Sequence, residues 1–287
     1  MSSATEASPI ILRTIDRIED LHDVEALQKE VWGCADLDVV PLTLLLASRE
    51  VGGVLIGAYD ESMLVGFVYG FPGYEAARLT HHSHMLAVKA EYRQQNLGYK
   101  LKLAQREAVL AQGIKRITWT FDPLQSLNAY FNFGKLGVIA DRYHVNFYGE
   151  ATSSFLHQFG TDRLWVTWQL NSRRVRERLE NGTGLASVTA HGVPSLVQVG
   201  SDSSPQRNIP AQALDKKCFL IEIPANINEL QSGSPTLAVE WRAATRWAFT
   251  EALNRGFVVK EFYRTTVGNQ AIGKYLLNHA KKTVSGS

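Results

Sequence analysis

Three histidines and one glycine-bearing turn are where side-chain type and spacing in this chain could do chemistry. His81, His82 and His84 lie within "RLTHHSHMLAVK", residues 78–89. On an extended strand His82 and His84, two apart, share one face, and His81 takes the other. An imidazole titrates near neutrality, so the pair suits taking a proton from an incoming nucleophile. The plainer alternative is that the three histidines cap a half-buried strand. "EYRQQNLGYK", residues 91–100, follows, with Arg93, Gln94, Gln95 and Asn96 crowded against Gly98 ahead of a helical pattern. A strand handing over to a helix leaves backbone N–H groups unpaired and aimed one way, with the helix dipole adding positive partial charge. Gly98 lets a bulky anion approach the backbone, and Arg93 and Lys100 add charge, so the turn predicts a pyrophosphate seat. A single glycine is weak evidence, and an ordinary strand–helix connection fits the spacing equally.

The surrounding elements follow from periodicity. "IILRTI" reads as a strand, and Asp16 with Glu19 three residues on resembles a capping box. Leu21, Val24, Leu27 and Val31 recur at helical spacing up to Trp32-Gly33, and a short helix is predicted after Pro41. "GGVLIGAYD" and "MLVGFVYGF" predict a hairpin, and the histidine run a further strand. From Gly98 onward Leu101, Ala104, Ala108 and Ala111 predict one helical face, stopped by Gly113. "IKRITWTFD" predicts a strand, "PLQSLNAYFNFGKLG" a turn and helix, and "DRLWVTWQL" a later strand. The charged "NSRRVRERLENGTG" and a Gly/Ser/Pro-rich stretch place a boundary near residue 171. "CFLIEIP", "PTLAVEWRAATRWAFTEALNRG" and "FVVKEFYRTT" then predict a strand, a helix and a strand. The C-terminal part offers few elements for a core of its own, so it is expected to pack against the first sheet.

Composition narrows the function classes. The chain has 287 residues, 45% hydrophobic and 20% charged, with a net charge of +2 and no long Lys/Arg run. Nucleic-acid binding therefore has little support. Two distant cysteines, Cys34 and Cys218, no signal peptide and no apolar run long enough to span a bilayer give a cytoplasmic expectation with no membrane partner. His191 and His279 are isolated, so no metal is expected. "RRVRER", residues 173–178, reads as a solvated helix face or as an attractant for an acidic acyl group or a phosphate.

The turn resembles the acetyl-CoA-binding motif of the GNAT acyltransferase superfamily, [Q/R]-x-x-G-x-[G/A]. Arg93 matches the first position and Gly98 the last, while Asn96 stands in place of the first glycine. Asn tolerates left-handed dihedrals better than most residues. The order of elements over residues 9–170 resembles the GNAT plan, with "HMLAVKAEYR" as the splayed fourth strand and "NAYFNFGKLGV" similar to a later family segment. "WTFDPLQSLNAYFNFGKLG" and "YHVNFYG" resemble a narrower group that includes amino-acid N-acyl- and N-succinyltransferases. The resemblance implies an α/β (α+β) fold with a mainly antiparallel sheet and flanking helices. It divides the chain into an acyl-CoA-binding domain at 9–170 and a C-terminal α/β extension at 171–287 packed on it.

It also implies direct transfer of an acetyl, succinyl or similar group from acyl-CoA to a small amine, without a metal. The backbone of Leu86, Ala87 and Val88 is then expected to hold pantetheine and the thioester carbonyl. Arg93, Gln94, Gln95, Asn96, Leu97, Gly98, Tyr99 and Lys100 are expected at the pyrophosphate. Asn128 and Asn132 suit pantetheine amides or substrate, with a helix N-cap as the alternative for Asn128. His84 is the preferred base, with Glu30, Asp122 or a water relay as alternatives. The family's thiolate-protonating tyrosine falls on Phe133, which has no proton to give. Tyr130, Tyr143 or Tyr148 would then supply the hydroxyl, or the thiolate leaves unassisted. Homodimers occur among such proteins. A non-catalytic acyl-CoA-binding or regulatory protein is the rival reading.

Overall fold

Residues 54–71 are apolar almost without interruption because helices cover both faces of the hairpin they build. The structure, a computed structural model, describes residues 9–149, 159–182, 192–208 and 217–279. The chain divides into two compact units, and among the described residues the division falls between Trp119 and Thr120, residues 9–119 forming the first unit and the described residues from 120 onward the second. The composition change near residue 171 lies inside that second unit.

The first unit holds β1 (Ile11–Thr14), α1 (Ile18–Trp32), α2 (Leu42–Glu50), β2 (Val54–Asp60), β3 (Met63–Glu75), β4 (Arg78–Val88), α3 (Leu97–Ala111) and the start of β5 (Arg116–Phe121). Its strands run in the order β1-β2-β3-β4-β5. The first three pairings are antiparallel and β4–β5 is parallel. Leu21, Val24 and Leu27 of α1 and Leu45 of α2 join Leu55, Tyr59, Phe67 and Tyr69 in a buried cluster on one sheet face. Successive strand residues point to opposite faces. Gly70, next to Tyr69, therefore faces the other side, where an added Cβ would meet Gln105 of α3 at 3.0 Å.

Two details differ from the sequence reading. The capping box does not form: α1 is preceded by Arg17 with no side-chain cap, and Asp16 instead accepts from Thr14 Oγ1 at 2.8 Å. The buried row of α3 is Leu97, Leu101, Gln105 and Val109 with Lys102 beside it, not the alanine row. Those four residues recur every fourth position, the spacing of one helical stripe, but a glutamine in the row hides it from a count of apolar residues.

The second unit holds the end of β5, α4 (Ser126–Ala129), which runs into a π-helix at Tyr130–Leu136, β6 (Ile139–His144), β7 (Arg163–Gln169), α5 (Arg173–Asn181), β8 (Ser195–Val199), β9 (Pro205–Arg207), β10 (Cys218–Pro224), α6 (Ile227–Gly233), α7 (Pro235–Asn254), β11 (Phe257–Val267) and β12 (Gln270–His279). The strand order is β7-β6-β11-β12-β10-β8-β9, antiparallel except for β10–β8. β6, β8, β9 and β12 were not read from the sequence. This unit carries a core of its own, with Phe133, Trp168, Phe219, Trp241, Phe249 and Tyr275 all at or below 2% exposure. Burying aromatics of this size supplies most of the driving force for such a core. "RRVRER" is more than a solvated face: Ser172 caps α5, and Arg174 and Arg178 both grip Glu261 of β11. Mainly antiparallel pairing with flanking helices makes the architecture a mixed α/β fold.

Candidate functional site

The site begins where β4 leaves its neighbour. The β4–β5 ladder has only His81↔Ile117 and His82↔Thr118 among the described residues, although β4 continues to Val88. The Lys89 N–H donates to Val65 O at 2.9 Å, so strand alternation turns Ala87 toward β3 and Leu86 and Val88 away from it. The Leu86 and Val88 backbone thus forms a short polar edge with no strand partner among the described residues on that side. Arg93 Nε donates to Val88 O at 3.2 Å and ties the end of that edge to the following turn. Lys89 pairs with Glu30 of α1 at 3.1 Å, so Glu30 braces the same strand end.

The turn is a 3-10 helix at Ala90–Gln95 followed by Asn96 at φ 55°, ψ 20°. Asn96 alone reverses the chain from that helix into α3, and asparagine is among the side chains that enter the left-handed region most readily. Its carbonyl accepts from Tyr99 N at 3.0 Å and Lys100 N at 3.1 Å. The Tyr99 and Lys100 amides are thereby used inside the helix. Those of Leu97 and Gly98 open the helix, where geometry offers no intrahelical acceptor. Leu97 buries its side chain, whereas Arg93, Gln95, Asn96 and Lys100 are exposed around the mouth. The side chain of Gln94 lies outside the described residues. At Gly98 an added Cβ would meet Leu86 Cδ2 at 3.4 Å, an ordinary contact, so the start of α3 passes beside Leu86.

The histidines divide as their spacing predicts. His82 and His84 have ring centroids 6.3 Å apart, and both neighbour Phe71, at 5.7 and 5.9 Å. Tyr69 pairs with Met85 and Gly70 with Ser83, so His84 is the extra residue of a β-bulge and is exposed. A bulge re-aims the side chain it carries. Burial pushes His82 down to about 4, and desolvation lowers His84 from its usual value. Both imidazoles are therefore neutral at pH 7 and able to accept a proton. His81 is fully buried on the α3 side and is pushed down to about 3, chiefly by burial.

Residues 18–135 match the family model described as "Acetyltransferase (GNAT) family". These residues form a GNAT acetyltransferase domain. No curated protein matches the sequence. Similar solved structures include a GNAT-family protein from Desulfovibrio desulfuricans, 14% identical, covering 56% of this chain and 99% of that one, with a TM-score of 0.46. The ribosomal-protein-S18-alanine N-acetyltransferase of Escherichia coli is 10% identical, covering 57% and 96%, with a TM-score of 0.45. A PaiA N-acetyltransferase from Thermoplasma acidophilum in complex with coenzyme A is 17% identical, covering 56% and 99%, with a TM-score of 0.40.

The remaining candidates belong to the second unit, into which the GNAT match runs as far as residue 135. Phe133 is fully buried, edge-on to Phe121 and Tyr275 at 6.2 and 5.8 Å, and serves the core. Asn132 is buried in the π-helix and its carbonyl accepts from Val138 N. Asn128 is exposed inside α4, whose N-cap is Gln125, so it is not a capping residue. Tyr143 donates to Asp162 Oδ2 at 2.7 Å, stacks on Phe249, and is raised well above 10, chiefly by burial. Asp162 is also gripped by Arg246, and Asp122 takes both terminal nitrogens of Arg242 at 2.7 Å. These pairs hold α7 to its own sheet, so Asp122 is committed to structure rather than to proton transfer. Tyr148 is 44% exposed, with its hydroxyl 3.5 Å from Thr120 Oγ1. Sequence reasoning passed over Lys102 and Gln105; the signal for Gln105 was the four-residue period of α3, and Lys102 lies beside that row. Among the described residues no group of three or more His, Cys, Asp or Glu is placed to hold a metal ion, and no single helix is long and apolar enough to cross a membrane.

Proposed function

We propose that the chain is an acyl-CoA-dependent N-acyltransferase that moves an acetyl, succinyl or similar group directly to a small amine, such as the α-amino group of an amino acid. The observation that carries this reading is the polar edge at Leu86 and Val88 running into the Asn96–Gly98 mouth. Backbone donors and acceptors outside the strand ladder, in line with an anion seat, suit the amides of a pantetheine arm followed by a diphosphate. Leu86 and Val88 hold the arm and polarise the thioester carbonyl, with Ala87 keeping β4 in register against β3. The amides of Leu97 and Gly98 take the diphosphate. Lys100 adds charge, and Arg93 fixes the strand end. The Tyr99 amide, already bonded, drops out of the donor set.

The amine must lose a proton before it attacks, and neutral His84, standing out of the ladder at the bulge, accepts it. Attack forms the C–N bond, the tetrahedral intermediate collapses, the C–S bond breaks and the thiolate takes a proton. The thiolate leaves unassisted and takes that proton from solvent; Tyr143 is passed over because its hydroxyl already donates to Asp162 at 2.7 Å. Thermal shift with acetyl-CoA, succinyl-CoA and free CoA, followed by thiol release across a panel of amines, tests the reading. Stabilisation with thiol release supports it. Stabilisation without release supports a binding protein instead, a reading favoured by Phe133, a residue without a hydroxyl at the family's tyrosine position. No shift with any CoA overturns both.

A further inference from the structure

Beneath the helix that carries the anion mouth lies a polar cluster that the transfer chemistry does not use. Lys102, 3% exposed, places Nζ 2.6 Å from Ser83 Oγ, 3.2 Å from Gln105 Oε1 and 4.0 Å from the centre of the Trp119 ring. Ser83 also donates to Gln105 Oε1 at 2.9 Å, which turns the Gln105 amide nitrogen toward His81 Nε2 at 3.2 Å. His81 Nδ1 is buried without a hydrogen-bond partner. Gly70 is shaped to this cluster, since a Cβ there would lie 2.4 Å from His81 Nε2.

The cluster gives the ammonium neutral acceptors and an aromatic face, and no carboxylate among the described residues. The titratable group of β4 that faces it is His81, held neutral, while His82 points to the opposite sheet face and is held neutral as well. β2 and β3 bring Asp60 and Glu75, which serve Tyr92 and Arg116. Trp119 is the residue from β5. On α3 itself, Lys100 is exposed and Arg106 pairs with Glu107. A cation sealed in this way is costly while no anion is near, and burial pushes Lys102 down to about 7.

The geometry points to a proton-linked acyl-CoA site, in which the Lys102 amine takes up a proton from solvent as the diphosphate settles at the mouth of its own helix. This rests on the acyl-CoA reading above. Lys102 lies four residues beyond Gly98, roughly 6 Å along the helix axis. An anion at the mouth then sits about 10 Å from the buried charge, where each unit of negative charge favours the protonated form about tenfold at an effective dielectric of about 20. By reciprocity the protonated enzyme binds acyl-CoA more tightly by the same factor.

The test is calorimetric binding of 3′-dephospho-CoA, whose diphosphate does not titrate in this range, to the whole chain between pH 5.5 and 8.5. Titrations in two buffers of different ionisation enthalpy report the protons taken up. Uptake near pH 7, with affinity falling by at least about tenfold across the range in the wild type but not in Lys102→Met, supports the inference. If Lys102→Met does not fold, the wild-type uptake decides alone. Binding without uptake, or parallel pH profiles for the two proteins, overturns proton linkage and leaves the acyl-CoA site standing. Failure of the wild type to bind either 3′-dephospho-CoA or CoA at any pH removes the acyl-CoA reading, and this inference with it.

Discussion

Asn96 offers the sharpest test of the turn, because two replacements isolate its backbone from its side chain. Asn96→Ala and Asn96→Gly both remove the carboxamide and whatever it binds. They differ in what the left-handed conformation, φ 55° and ψ 20°, then costs. A Cβ in that region is unfavourable by about 1–2 kcal/mol for an ordinary residue, and glycine escapes the penalty. Asn96 O receives both Tyr99 N and Lys100 N, so relaxing this residue also loosens the first turn of α3. The penalty has two places to appear. If the free protein keeps the conformation, Asn96→Ala loses about 1–2 kcal/mol of stability relative to Asn96→Gly. If the free loop relaxes, the same amount is lost from CoA binding, a drop of roughly 5- to 30-fold in affinity. Denaturant unfolding and calorimetric CoA titration on the two variants measure both terms, and their sum is the predicted quantity. Equal stability together with equal CoA affinity would refute the claim that the left-handed residue shapes the mouth.

Three further outcomes are expected. Gly98→Ala places a Cβ in ordinary contact with Leu86 Cδ2 and is tolerated, whereas Gly98→Val drives branched methyls into Leu86 or over the mouth; a folded valine variant should lose about tenfold or more in CoA affinity by calorimetry. His84→Ala should lower kcat by roughly a hundredfold, most strongly below the pKa of the amine, with CoA affinity little changed; a rate–pH profile matching the wild type removes His84 as the base. For stability, the folded-state pKa of Lys102 is depressed to about 7 from 10.5. The unfolded chain therefore holds the extra proton between those values. Stability should rise with pH across that window, by up to roughly 1.4 kcal/mol per pH unit, and stay flat in this contribution below pH 7. Lys102→Met should abolish that rise in urea unfolding series at pH 7 and 9, and an unchanged slope would show that another group carries it.

Much of the first unit was legible because its signals are local. Two apolar runs joined by a polar turn announced β2 and β3, and helical spacing announced α1 and its stop at Gly33, which takes the left-handed cap conformation. The two-residue spacing of His82 and His84 held because the bulge at His84 left both rings on the Phe71 side. Signals needing a partner were not legible. β6 and β12 are strands because β7, β11 and β10 pair with them, and "RRVRER" grips Glu261 some 80 positions away. Tyr143 and Tyr148 look alike in sequence, yet the Tyr143 hydroxyl donates to Asp162 while Tyr148 is an exposed residue.

By itself the sequence determined where the chain turns from strand to helix, which residues stand at that turn, and the periodicities that make a mixed α/β fold, since these depend on neighbours a few positions apart. Only the tertiary structure decided that β4 parts from β5 after His82, that Asn96 takes the left-handed conformation, and that a lysine is sealed beneath the anion mouth. The first and the last of these are set by groups distant in the chain, whose packing fixes which backbone groups go unpaired and what a charge costs where it sits.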